Sequence, residues 1–200
     1  MATSTRPSRP ALRERWDRRR DDVVAGAARV FAQRGYAETS VAELAEQLGL
    51  ATGALYHYFR GKEELLIAIC DELTEPLLEA GRGLPAEGPA EQRLRALVRL
   101  WVAHVAEHRD HLLVFTQVRH VVDAGGGEWR GVRAARKDFE GLIAEALTGC
   151  GVADPDLRRL ALLGMVNHLP QWYRPRGRLD TEQIADGWVG LVLGRAVAAG

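Results

Sequence analysis

Leu48-Gly-Leu-Ala-Thr-Gly-Ala-Leu-Tyr-His-Tyr-Phe59 is the stretch that decides the fold. Its apolar residues recur at helical spacing, yet Gly53 sits inside it and Tyr56, His57 and Tyr58 crowd one end. Glycine in a helix interior costs about 1 kcal/mol. A helix that keeps such a residue needs a reason for a slim, open face. Just upstream, Ser40 and Glu43 have the Ser-x-x-Glu spacing of a capping box. A helix therefore starts there and runs to Leu48, with Val41, Leu44, Ala45 and Leu48 inward. Gly49-Leu50 makes a tight turn, and a second short helix covers about Ala51 to Tyr58. Two short helices joined by a glycine turn read as a helix-turn-helix. Its second helix would enter the DNA major groove. Gly53 and Ala54 allow close backbone approach, Tyr56, His57 and Tyr58 offer donors to phosphates or base edges, and Leu55 and Phe59 anchor the helix.

Outward from this unit the chain reads as helix throughout. A first helix spans about Asp17 to Arg34, with Val23, Ala27, Val30 and Phe31 on one face and Gly35 as its stop. A long helix covers about Lys62 to Ala80. Residues 81–89, with three glycines and two prolines, form a hinge. Further helices are expected over about 90–107, 109–122, from the Gly125-Gly126-Gly127 break to Leu147, from the Asp154 cap to Tyr173, and from the Asp180 cap to Ala198. Strand alternation and hairpin turns are nearly absent.

The 200 residues are 46% apolar and 27% charged, and no run approaches the length that spans a bilayer. The Arg-rich N-terminus lacks the apolar segment of a secretory signal. Cys70 and Cys150 lie far apart and read as reduced thiols of a cytoplasmic protein. The net charge is zero, yet residues 1–60 hold 10 arginines against 7 carboxylates. A basic arm on a neutral body suggests a local anionic partner. Residues 1–16 read as a disordered Arg-rich arm, 17–62 as the DNA-binding unit and 63–200 as a body for ligand binding and dimerisation. No nucleophile–base pair or Gly-rich phosphate loop is present, so the chain does not read as an enzyme. No cofactor is implied.

Thr39-Ser40-Val41, Glu43-Leu44-Ala45, Gly49-Leu50, Gly53 to Phe59 and Lys62-Glu63-Glu64-Leu65 together resemble the DNA-binding domain of TetR-type transcriptional regulators. The resemblance covers about residues 22–67. It implies an all-α, two-domain, nine-helix homodimer that releases a palindromic double-stranded operator when a small ligand enters the C-terminal domain. It also implies that Ser40, Thr52, Gly53, Tyr56, His57 and Lys62 face DNA, with Lys62 on a phosphate. Tyr58 joins them from the residue reading above. Ala51 stands where a Ser or Thr cap is usual, and Ala42 and Ala54 stand where relatives often carry base-reading side chains. Phosphate contacts, shape and the arm in a minor groove would then carry more of the binding.

Asn167-His-Leu-Pro-Gln-Trp-Tyr-Arg-Pro-Arg-Gly-Arg-Leu179 is similar to a pattern in TetR-type regulators of fatty-acid and steroid breakdown that respond to acyl-CoA thioesters. This implies a pocket involving Asn167, His168, Gln171 and Trp172. Trp101 and Met165 would add apolar wall. Arg119, His120, Arg130, Arg133 and Arg174 would receive CoA phosphates. Pro170, inside a helix, removes a backbone hydrogen bond and would turn the Val166 carbonyl toward a cavity; the plainer alternative is a packing kink beside a solvated basic face. A drug-like effector, or a helical ligand-binding adaptor with a vestigial helix-turn-helix, stay open as other functions.

His104, His108 and His111 share a helix face at i, i+4 and i+7. The helix junction near residues 108–110 is expected to splay His111 away, so no metal site is assigned. Leu157, Leu160, Ala161, Gly164, Ile184, Trp188, Leu191, Val192 and Ala196, with Gly187, Gly190 and Gly194, are the expected dimer stripes.

Overall fold

The computed structural model describes residues 10–194, and all regular structure among them is helical. The order is α1 (Pro10–Arg34), α2 (Val41–Gln47), α3 (Thr52–Leu55), α4 (Lys62–Gly83), α5 (Ala90–Glu107), α6 (Arg109–Gln117), α7 (Arg119–Ala124), a 3-10 turn (Gly127–Trp129), α8 (Arg130–Gly149), α9 (Pro155–Trp172) and α10 (Thr181–Val192).

Local chemistry sets most boundaries. Ser40 and Glu43 close a reciprocal capping box at α2, and Asp180 and Gln183 do the same at α10. Such caps contribute about 1 kcal/mol each. Gly35 ends α1 and Gly49 makes the α2–α3 turn, both at positive φ (90° and 64°), where a side chain would be strained. Asp154 caps α9 by accepting from the Leu157 amide at 3.1 Å.

Four expectations differ from the structure. Helix α1 begins at Pro10 rather than Asp17, because proline is tolerated at a first helical turn and Ala11 to Arg15 are good helix formers. Only residues 1–9 of the expected arm lie outside the described residues. The expected 109–122 helix divides at Val118, whose φ/ψ of −101°/11° leaves the helical basin, so ten α-helices rather than nine are present among the described residues. Helix α4 continues through Gly81, which is buried because Phe139 lies so close that an added Cβ would stand 3.0 Å from its ring. Helix α10 stops at Val192, with Gly194 in the left-handed region at φ 72°. The expected extension to Ala198, and the dimer residue Ala196, fall outside the described residues.

One continuous core runs from Val23 to Val192 and crosses the start of α4 without a gap. Leu44, Leu55 and Phe59 bring α2 and α3 onto Val24, Ala27, Phe31 and Leu65. Helix α1 also packs along α6, and α4 packs along α8. The α2–α3 end is thus braced by the same helices that build the body.

Candidate DNA interface and effector cavity

The α2–α3 unit presents one open side. Leu55 and Phe59 are buried, while Thr52, Gly53 and His57 are exposed on the opposite side and Tyr56 is half-buried. The regular helix is shorter than expected. It ends at Leu55, and the chain winds on through i→i+3 bonds, His57 N–H to Ala54 and Tyr58 N–H to Leu55. Open space surrounds Gly53, as close approach to a partner requires. Ala51 provides no side-chain cap.

Three residues expected at DNA have protein partners. Tyr58 rests against Trp16, ring centroids 5.6 Å apart. The Ser40 hydroxyl is engaged with Glu43 at 2.7 Å, which holds the Glu43 carboxyl below its ordinary range. The Lys62 ammonium donates to the carbonyls of Tyr36 (2.5 Å) and Thr39 (2.8 Å), and lies 4.2 Å from the Tyr36 ring centroid. Lys62 therefore staples the start of α4 to the loop that leads into α2. Sequence spacing could not reveal this, since the partners lie more than twenty residues away.

The body holds a cavity of about 60 Å³. Helix α4 supplies Leu73, Thr74 and Leu77, α5 supplies Trp101, and α6 supplies Leu112 and Phe115. Polar groups come from Arg119, Arg136, Glu140 and Asn167. Of the eight residues expected around a ligand, Trp101, Arg119 and Asn167 line this cavity. His120, Met165, His168, Gln171 and Trp172 do not, because the helical faces that carry them turn elsewhere. His120, His168 and Gln171 are exposed, and Trp172 packs edge-on to Trp188 of α10. Of the other arginines, Arg133 donates to the carbonyls of Val122, Gly125 and Gly126 and Arg174 to that of Tyr173. Pro170 is buried, and its own carbonyl accepts from Arg109 at 3.0 Å. Arg136 and Phe139 join the lining without having been expected there. The sequence does carry a signal for them: Val132, Arg136, Phe139 and Ile143 share one face of α8.

Helix α4 carries two features that perturb its ladder beside the cavity. Pro76 removes one backbone donor, and the Thr74 hydroxyl donates back to Cys70 at 3.0 Å. His104 Nε2 donates to the Leu73 carbonyl at 2.9 Å. Burial, then the neighbouring His108, pushes the His104 imidazole toward its neutral form. His111 is not splayed away: its ring lies 5.4 Å from that of His108, because α6 starts directly where α5 ends. His111 Nε2 donates to Glu72 at 3.2 Å, and His108 Nδ1 to the His104 carbonyl at 2.9 Å. His104 and His108 stack and His111 meets His108 edge-on along the α4–α5–α6 seam. Burial pushes the Cys70 thiol up to about 12, so it stays protonated.

No helix among the described residues is long and apolar enough to cross a membrane. Residues 23–69 match the family described as bacterial regulatory proteins, tetR family, and residues 87–195 match the tetracyclin repressor-like C-terminal domain. The HTH-type transcriptional repressor KstR2 of Mycolicibacterium smegmatis is 29% identical over 204 residues, covering 97% of this chain and 95% of that protein. The structure of AibR in complex with isovaleryl coenzyme A and operator DNA is similar at 28% identity and TM-score 0.71, covering 89% of this chain and 100% of that one. The TetR family regulator PfmR of Thermus thermophilus is similar at 28% identity and TM-score 0.74, covering 86% and 97%.

Proposed function

Because the chain belongs to the TetR family of bacterial transcriptional regulators, we propose that it is a repressor whose grip on a palindromic operator is released by a small apolar and anionic effector, an acyl-CoA thioester. Residues 17–62 form the DNA-binding unit in this reading, with Thr52, Gly53, Tyr56 and His57 at the groove. Residues 63–200 hold effector and partner subunit. One observation carries the reading. Helix α4 lines the cavity with Leu73, Thr74 and Leu77, and through Lys62 at its other end it holds the loop that enters α2. An effector that outgrows this cavity spreads α4 from α5, α6 and α8, and that displacement reaches the helix-turn-helix. The thioester class is favoured by the isovaleryl coenzyme A named for AibR.

A homodimer fits the outer faces of α9 and α10. Leu157, Leu160 and Leu191 are 62%, 52% and 56% exposed, large apolar side chains that a lone chain leaves in water. Nothing approaches Gly164, Gly187 or Gly190, so a second helix has room to pack closely there. Ile184 and Val192, expected on the same face, are instead buried in the subunit's own core. Two-fold pairing would set the two recognition segments about 34–36 Å apart, or a multiple of that spacing.

Fluorescence anisotropy on the DNA upstream of the protein's own gene tests the effector half. Palmitoyl-CoA or a steroid-acyl-CoA is expected to weaken DNA binding by about tenfold or more, within the usual range of allosteric coupling. Binding that no thioester disturbs, but that a hydrophobic drug-like compound releases, would replace the proposed effector class.

A further inference from the structure

The guanidinium of Arg136 is only partly used. Its Nη2 donates to Asp123 Oδ1 at 3.0 Å, and its Nε stands 3.8 Å from Glu140 Oε1. Its Nη1 is buried without a hydrogen-bond partner, the one such side-chain atom among the described residues. A buried donor on a charged group loses its hydration and gains nothing in return. The neighbouring carboxylates do not remove this deficit. Asp123 also faces Arg119 at 3.6 Å, and Glu140 accepts from Arg159 at 2.5 Å. Asn167, across the cavity on α9, also has no hydrogen bond from its amide among the described residues. Leucines, Trp101 and Phe139 make up much of the remaining wall.

We infer that Arg136 is the specificity-determining residue of this cavity, seating an oxygen acceptor of carbonyl or carboxylate type on its guanidinium once the effector parts the wall, with the Asn167 amide as second donor. This rests on the reading of the cavity as the effector site, and it narrows the effector class. The part that enters the cavity is an apolar body bearing an oxygen acceptor. An acyl-CoA meets this through its thioester carbonyl or through an oxo group on the acyl part. A plain hydrocarbon leaves Nη1 unpaired, and a donor-only cation offers it no acceptor.

The test is calorimetry of the full chain with three probes of matched length: decanoate, 2-undecanone and decylammonium. Wild type is expected to bind the two acceptors about tenfold or more tighter than decylammonium, as hydrogen bonds to charged groups allow. Arg136→Met, which keeps the length and loses the donors, is expected to abolish that preference while operator binding persists. Arg136→Lys keeps the charge and a donor on a shorter reach, and is expected to retain part of the preference for both acceptors. Equal acceptor preference in wild type and Arg136→Met would overturn this inference and leave the cavity as effector site. Should Arg136→Met not fold, a wild type that binds decylammonium as tightly as decanoate and 2-undecanone would overturn it equally. If wild type binds its DNA but none of the three probes, the effector reading falls and the inference falls with it.

Discussion

Trp129→Ala is expected to lower stability by about 3–5 kcal/mol, the usual cost of emptying a large aromatic site. Trp129 is fully buried in the 3-10 turn between α7 and α8, and its indole N–H donates to Glu63 Oε1 at 3.2 Å. Gly125 admits the ring: a Cβ there would stand 2.2 Å from Trp129 Cδ1. The chain needs this close approach because Glu63 lies in the first turn of α4, so the indole ties the body to the helix that enters the DNA-binding unit. For a chain of this size the loss corresponds to a fall in Tm of roughly 6–20 °C. Trp129→Phe keeps most of the volume and loses the bond to Glu63 with a minor part of the packing, so its cost is expected to be about 1–2 kcal/mol. Thermal or urea unfolding of the two variants measures both. A loss below about 1 kcal/mol for alanine would mean the turn collapses onto the site, and that the indole is not the tie described.

The second large effect concerns DNA. Tyr56→Phe combined with His57→Ala is expected to weaken operator binding by about 100-fold. Each lost polar contact to phosphate or base edge removes about 1–3 kcal/mol. Neither change should unfold the chain, because His57 is exposed and phenylalanine preserves the packing of half-buried Tyr56. Tyr58→Ala is the informative contrast. Its ring packs on Trp16, so it should lower stability together with affinity. Unchanged operator affinity in the double variant, measured by anisotropy at fixed salt, would move the groove contacts away from this segment.

Much of the fold was legible because it is set locally. The Ser40–Glu43 box and the Asp180 and Asp154 caps act over three residues, and the Gly35 and Gly49 stops depend on a single φ. Nothing in the sequence punctuates Val118, where neither Gly nor Pro marks the break, and Pro10 reads equally as a chain breaker or as a first helical residue. The open face of α3 was legible because burial of Leu55 and Phe59 forces Thr52, Gly53 and His57 outward. The cavity was harder. Which face of α8 or α9 turns inward is decided by helices far apart in sequence. That is why Arg136 lines a wall for which the family resemblance of the Asn167–Leu179 segment implied His168 and Gln171. The role of Lys62 was hidden for the same reason, as its acceptors in the Tyr36–Thr39 loop precede it by more than twenty residues.

Two-fold binding of a specific DNA site is what the regulator reading stands on. Selection of bound sequences from a random double-stranded DNA pool, followed by anisotropy of the enriched site at several salt concentrations, tests it most directly. The expected result is an inverted-repeat site, a dimer or multiple of dimers per site, and an affinity that falls steeply with salt as phosphate contacts are screened. An unenriched pool, with weak binding independent of sequence, would contradict it.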